Sequence, residues 1–125
     1  MREMIPVHVE VNNSTAVFYY TLVERMELVA VDAIANGTVS GAASTNSVDI
    51  VIFGNDQTTP AYEWSTQGNK EGDLTDATVK SLTDKASGKV IYSDGATIKV
   101  SIGKSGTGPS ADFNLCLHFK QARLT

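Results

Sequence analysis

A chain of 125 residues with 42% hydrophobic side chains is one domain's worth of sequence, long enough to bury a real core without disulfide or metal staples. Its net charge of −4, with ten Lys and Arg scattered along the chain, speaks against a nucleic-acid partner, because neutralising phosphates takes clustered cations. Polar residues interrupt every apolar run well short of the roughly 18 residues that a membrane helix needs, so no membrane partner is expected.

One cysteine, Cys116, excludes an internal disulfide framework. The opening "MREMIPVHVEV" has no long apolar stretch of the secretory kind, and the expectation is a protein made and kept in a reducing cytoplasm, at least until assembly. Asn13-Ser14-Thr15 and Asn36-Gly37-Thr38 fit the glycan acceptor pattern, which carries no meaning without secretion.

In chain order, period-two alternation recurs in nearly every apolar run. The first strands fall at 5–11, 15–23 and 27–35. In the third, Leu28, Ala30, Asp32 and Ile34 oppose Val29, Val31, Ala33 and Ala35, and the pattern leaves its core face open. "VDIVIF" sets Val48, Ile50 and Ile52 on one face, against Val51 and Phe53 on the other. "AYEWST" and "KVIYS" are shorter strands. "ATIKVSI" turns Ile98, Val100 and Ile102 one way and Thr97, Lys99 and Ser101 toward water. The last run is the cleanest, with Phe113, Leu115, Leu117 and Phe119 alternating with polar neighbours, as in a half-buried antiparallel strand. Clusters of Gly, Asn, Asp, Ser and Thr punctuate these runs, and Asp94-Gly95 reads as a two-residue hairpin turn. The one helical candidate, "DLTDATVKSL" at 73–82, spaces its apolar residues unevenly and predicts one short turn at most. Strands without intervening amphipathic helices predict an all-β, antiparallel sandwich of seven or eight strands, jelly-roll-like or Ig-like, in a single domain over 1–125.

The chemistry-bearing motifs are weak. Gly103-Lys104-Ser105 ends like a phosphate-binding loop, but the glycine required five residues before Gly103 is replaced by Ile98, in mid-strand, and no helix follows. It reads as a hairpin loop. His8 and His118 lie in strands without further ligands at metal spacing, and Cys116 with His118 falls short of a metal set or a nucleophile pair. Asp73 and Asp76 near Glu71 lack the glycine-centred calcium loop, and Asp73 reads better as a cap on the turn that follows. No catalytic residue, cofactor or metal is expected. Tyr62 and Trp64 share a strand face and could stack on sugar rings, or equally fill a core or subunit contact. Tyr19 and Tyr20 are consecutive and so form no platform.

The segment "EGDLTDATVKSLTDKASGKVIYSDGATIKVSIGKSGTGPSADFNLCLHF" resembles the small β-sandwich head decoration, or capsid cement-like, virion proteins of tailed bacteriophages. The likeness rests on Gly72-Asp73, the Thr-containing run at 75–79, the strand at 95–102, the Gly/Ser/Thr stretch at 103–108 and the alternating strand at 111–119. "AVFYYTLVERMELVAVDAIANGTVSG" is similar to their opening strands, whereas "VERMEL" and "TPAYEW" depart from them. The resemblance implies a non-enzymatic structural protein of the virion, made in the host cytoplasm. It would bind the major capsid protein on the outer face of the head as a homotrimer. It carries over no site residues. Residues 1–11 are the candidate edge strand or docking arm: Ile5, Val7 and Val9 alternate with Pro6 and His8, and Pro6, lacking an N–H, belongs at a sheet edge. The alternative is a carbohydrate-binding module on the virion that aids host attachment through Tyr62 and Trp64.

Overall fold

The computed structural model describes residues 2–11, 16–37, 46–65, 75–106 and 111–122. These form ten strands: β1 (Arg2–Val11), β2 (Ala16–Thr21), β3 (Met26–Ala35), β4 (Asn46–Phe53), β5 (Pro60–Ser65), β6 (Val79–Ser81), β7 (Thr83–Asp84), β8 (Val90–Tyr92), β9 (Thr97–Gly106) and β10 (Ala111–Gln121). The count exceeds the seven or eight read from the sequence because the short β6 and β7 divide a stretch that has little alternation of its own. One sheet runs β1-β10-β3-β6, with β8 also pairing β3, and the other runs β2-β9-β4-β5-β7. All these pairings are antiparallel.

The pairings nest: β1 with β10, β2 with β9, β3 with β8, and β4 with β5. That is a long hairpin rolled up into two sheets, the jelly-roll form of the sandwich rather than the Ig-like one. Rolling places chain neighbours such as β8 and β9 in different sheets. Asp94-Gly95 is therefore a turn from one sheet to the other, not a hairpin. Ala96 N–H closes it on Ser93 C=O at 3.1 Å, and among its central residues only Gly95 has a positive φ, +72°. One left-handed residue in the third position makes a type II turn; both two-residue hairpin forms need a left-handed residue in the second position, which Asp94 is not.

The core lies between the sheets. From one come Leu28, Val31, Tyr92, Leu115, Leu117 and Phe119, and from the other Val48, Ile50, Ile52, Ile98, Val100, Ile102 and Trp64. Every face expected for β4, β9 and β10 among these residues is buried as the alternation requires. The face of β3 changes midway: Met26 and Leu28 are buried, then Val31, Ala33 and Ala35. The cause is a β-bulge. Phe119 pairs with Leu28 and His118 with Ala30, which leaves Val29 as the extra residue and shifts the inward parity by one.

Two local expectations give way. The described part of the helical candidate, from Thr75 on, is a turn followed by β6, and Leu82 N–H bonds to Val31 C=O at 2.9 Å along the sheet edge. Its first two residues, with Asp73 as cap, lie outside the described residues. Gly103-Lys104-Ser105 is neither a phosphate loop nor a hairpin loop but part of β9, paired with Asp49, Val48 and Ser47 of β4.

Candidate functional site

Among the described residues the places with the clearest geometry to engage a partner or ligand are the edges of the two sheets, a cleft between loops at one end, and a polar cluster on the outer face of the first sheet.

Strand β1 ends its sheet, paired with β10 alone among the described residues. The direction of its backbone groups follows from the ladder. Val31 C=O points toward β6, where Leu82 N–H reaches it. Because backbone groups of an antiparallel strand alternate sides, Asp32 and Ile34 turn toward β10 and meet Cys116 and Asn114. Leu115 and Leu117 then turn the other way, toward Val7 and Ile5. The N–H and C=O groups of Ile5, Val7 and Val9 are thus committed to β10, and those of Met4, Pro6, His8 and Glu10 face outward. Pro6 sits where its missing N–H costs the ladder nothing, as its place on an edge strand requires. The open edge offers three donors and four acceptors over residues 4–10, with a gap at Pro6.

In the other sheet β2 holds the end position, paired with β9. Leu22 N–H bonds to Ala96 C=O at 2.8 Å, and alternation then turns the backbone groups of Val17, Tyr19 and Thr21 outward. Val17 is 49% and Tyr19 59% exposed, so this edge carries apolar side chains as well as backbone groups that have no partner among the described residues. Next to Tyr19 on β9, Lys99 places Nζ 5.1 Å from the centre of the Phe53 ring.

The cleft lies where the β4–β5 loop meets the β7–β8 loop and encloses about 520 Å³. Asp56 organises one wall. Its Oδ1 accepts from Thr58 N–H at 2.9 Å and Thr59 N–H at 2.8 Å, and its Oδ2 accepts from Thr59 Oγ1 at 2.6 Å. The Thr59 hydroxyl, then the Thr59 and Thr58 amides, hold this carboxyl well below the usual carboxylate range. Gln57 takes a positive φ of 62° at the loop's tip, and its Nε2 donates to Thr97 C=O at 3.0 Å. Asn55 Oδ1 accepts from Ser93 N–H at 3.2 Å. The opposite wall is "KASGK", Lys85 to Lys89, with Lys85 Nζ 3.3 Å from Glu63 Oε1.

On the outer face of the first sheet Asp32 bridges two side chains: Oδ2 lies 2.9 Å from His118 Nε2, and Oδ1 accepts from Ser81 Oγ at 3.0 Å. A relay for nucleophilic attack would set His between Asp and Ser. Here Asp32 is in the middle, bonded to both, so the cluster is a cross-strand clamp over β6, β3 and β10. Cys116 is half-buried on the same strand as His118. Among the described residues no group of three His, Cys, Asp or Glu could hold a metal ion. Asp76 Oδ1 accepts from Gly37 N–H at 2.8 Å, pinning the chain beyond β3, while Glu71 and Asp73 lie outside the described residues.

Tyr62 and Trp64 share a strand face as expected, but it is the inner one. They are 5% and 1% exposed, so both rings fill the core, the other reading given for them, while Tyr62 still reaches the lining of a smaller cleft beside Glu27, Asp84 and Lys89. The turn composition of "GNDQTTP" is legible in the sequence, but nothing there pairs it with "KASGK" some thirty residues on. The chain matches no protein-family model, no curated protein and no solved structure.

Proposed function

We propose that this chain is a non-enzymatic structural protein of a virion, a decoration or cement protein that binds the outer face of a phage head through its free sheet edge. The observation that carries the reading is the outward backbone of β1. Among the described residues the N–H groups of Met4, His8 and Glu10 have no partner, and the strand is otherwise fully laddered to β10. A partner strand added there gains main-chain hydrogen bonds with little demand on side-chain identity. Pro6 interrupts the edge at its centre, which discourages indiscriminate pairing between copies while leaving room for a partner whose strand tolerates the gap. Val17 and Tyr19 on the edge strand of the other sheet supply an apolar contact of the kind buried at interfaces.

The phage assignment itself comes from the resemblance of the C-terminal half, and the jelly roll is compatible with it, since viral capsid proteins use that architecture. The major capsid protein is the proposed partner, a homotrimer the proposed assembly and the capsid surface the proposed location. In the test, protein is mixed with undecorated heads and the mixture is banded on a density gradient. Co-banding at saturable stoichiometry supports the reading, and protein left at the top of the gradient contradicts it.

A further inference from the structure

We propose that the cleft between the β4–β5 and β7–β8 loops binds a neutral carbohydrate, with room for one or two hexose rings. The inference is independent of capsid docking and moves sugar recognition away from the buried Tyr62 and Trp64.

The cleft has the size of small-molecule sites, which span roughly 300–1,000 Å³. Its chemistry is that of a polyhydroxylated ring. A carboxylate has about four acceptor positions, and Asp56 uses three of them on its own loop, leaving one on Oδ2 for a ligand hydroxyl. Those three bonds also fix the carboxylate before any ligand arrives, so little ordering is lost on binding. Asn55 accepts through Oδ1 from Ser93, which directs its Nδ2 donors elsewhere. An acceptor beside a donor suits adjacent sugar hydroxyls, each of which donates and accepts. Ser87 on the far wall adds an exposed hydroxyl. Pro60 and Ile91, both half-buried, add apolar surface to the lining for the C–H face of a ring.

Charge argues for a neutral ligand. Lys85 is paired with Glu63, and Lys89 stands across from the ionised Asp56, so the walls balance and an anion would face Asp56. Among the described residues no aromatic side chain lines the cleft, which leaves a nucleotide base nothing there to stack on.

The test is an amide ¹H–¹⁵N titration of the full chain with glucose, galactose, mannose and N-acetylglucosamine, and separately with inorganic phosphate. At least one sugar should shift the amides of 54–59 and 85–91 saturably, with a dissociation constant around 1 mM, about 4 kcal/mol of binding. Ser87→Trp puts a large side chain into the cleft from an exposed position and should abolish the shifts while the rest of the spectrum is unchanged. Asp56→Asn should weaken binding tenfold or more. The proposal is overturned if no sugar in the panel saturates those amides, if the shifts fall elsewhere, if binding survives Ser87→Trp, or if phosphate alone saturates the cleft.

Discussion

The Tyr92 hydroxyl donates to the Phe53 carbonyl oxygen at 2.7 Å, tying β8 in one sheet to the end of β4 in the other. Tyr92 is fully buried, its ring meets Phe119 edge-on at 6.3 Å, and the carbonyl it serves lies where β4 gives way to the Asp56 loop. Tyr92→Phe would keep the ring and leave that carbonyl unpaired. The expected cost is about 1–3 kcal/mol in chemical denaturation. Burial first, and the neighbouring Tyr62 second, push the Tyr92 hydroxyl above its ordinary value of 10.0. Its contribution is therefore fully present below the unfolded-state value and lost as pH rises through the folded one. Wild type should lose stability above about pH 10 more steeply than Tyr92→Phe. Parallel alkaline profiles for the two proteins would show that Tyr92 ionises freely in the fold.

Leu117 is completely buried at the centre of β10, between β1 and β3. Leu117→Ala should cost about 2–5 kcal/mol, the transfer term plus the cavity left behind. Thermal unfolding within a couple of degrees of wild type would mean the site collapses around the deletion or was never tightly packed.

The Asp56 carboxyl is depressed by the hydrogen bonds that build its loop, so whatever it adds to stability is present above the unfolded value and lost as pH falls. Its side-chain ¹³C resonance should stay flat from neutral pH down to about pH 3, while exposed carboxylates titrate near 4. A midpoint near 4 for Asp56 would contradict the anchored loop.

The sandwich was legible wherever alternation is strict. Val48, Ile50 and Ile52, and likewise Ile98, Val100 and Ile102, are all buried. β3 was illegible because Val29 is an extra residue in a wholly apolar "LVAV", and no period marks a bulge there. The run after Gly103 looked like loop because Gly and Ser have weak strand preference, yet pairing with β4 holds it extended to Gly106. Tyr62 and Trp64 illustrate a different limit: period two says they share a face, not which face. Pro6 alone announced a sheet edge, since its missing donor has only one affordable direction. The cleft was invisible because it forms only when two distant loops meet.

A homotrimer is the assembly proposed for the capsid-bound protein, and symmetric closure would also cover exposed apolar edge residues such as Val17 and Tyr19. Light scattering at micromolar concentration should report about three times the chain mass. A monomer there would remove the trimer from the proposal.

The most direct measurement concerns the outward donors of β1. His8→Pro deletes an N–H that faces away from β10, as Pro6 already does, and should leave the inner ladder and the core intact. Val7→Pro deletes one that faces β10 and serves as the destabilised comparison. Wild type and His8→Pro are each mixed with undecorated heads, and occupancy is read on density gradients at low and high salt. His8→Pro should melt close to wild type yet lose most of its occupancy, and wild-type binding should change little with salt, because main-chain pairing is weakly screened. Equal occupancy for a folded His8→Pro and wild type would contradict docking through the β1 edge.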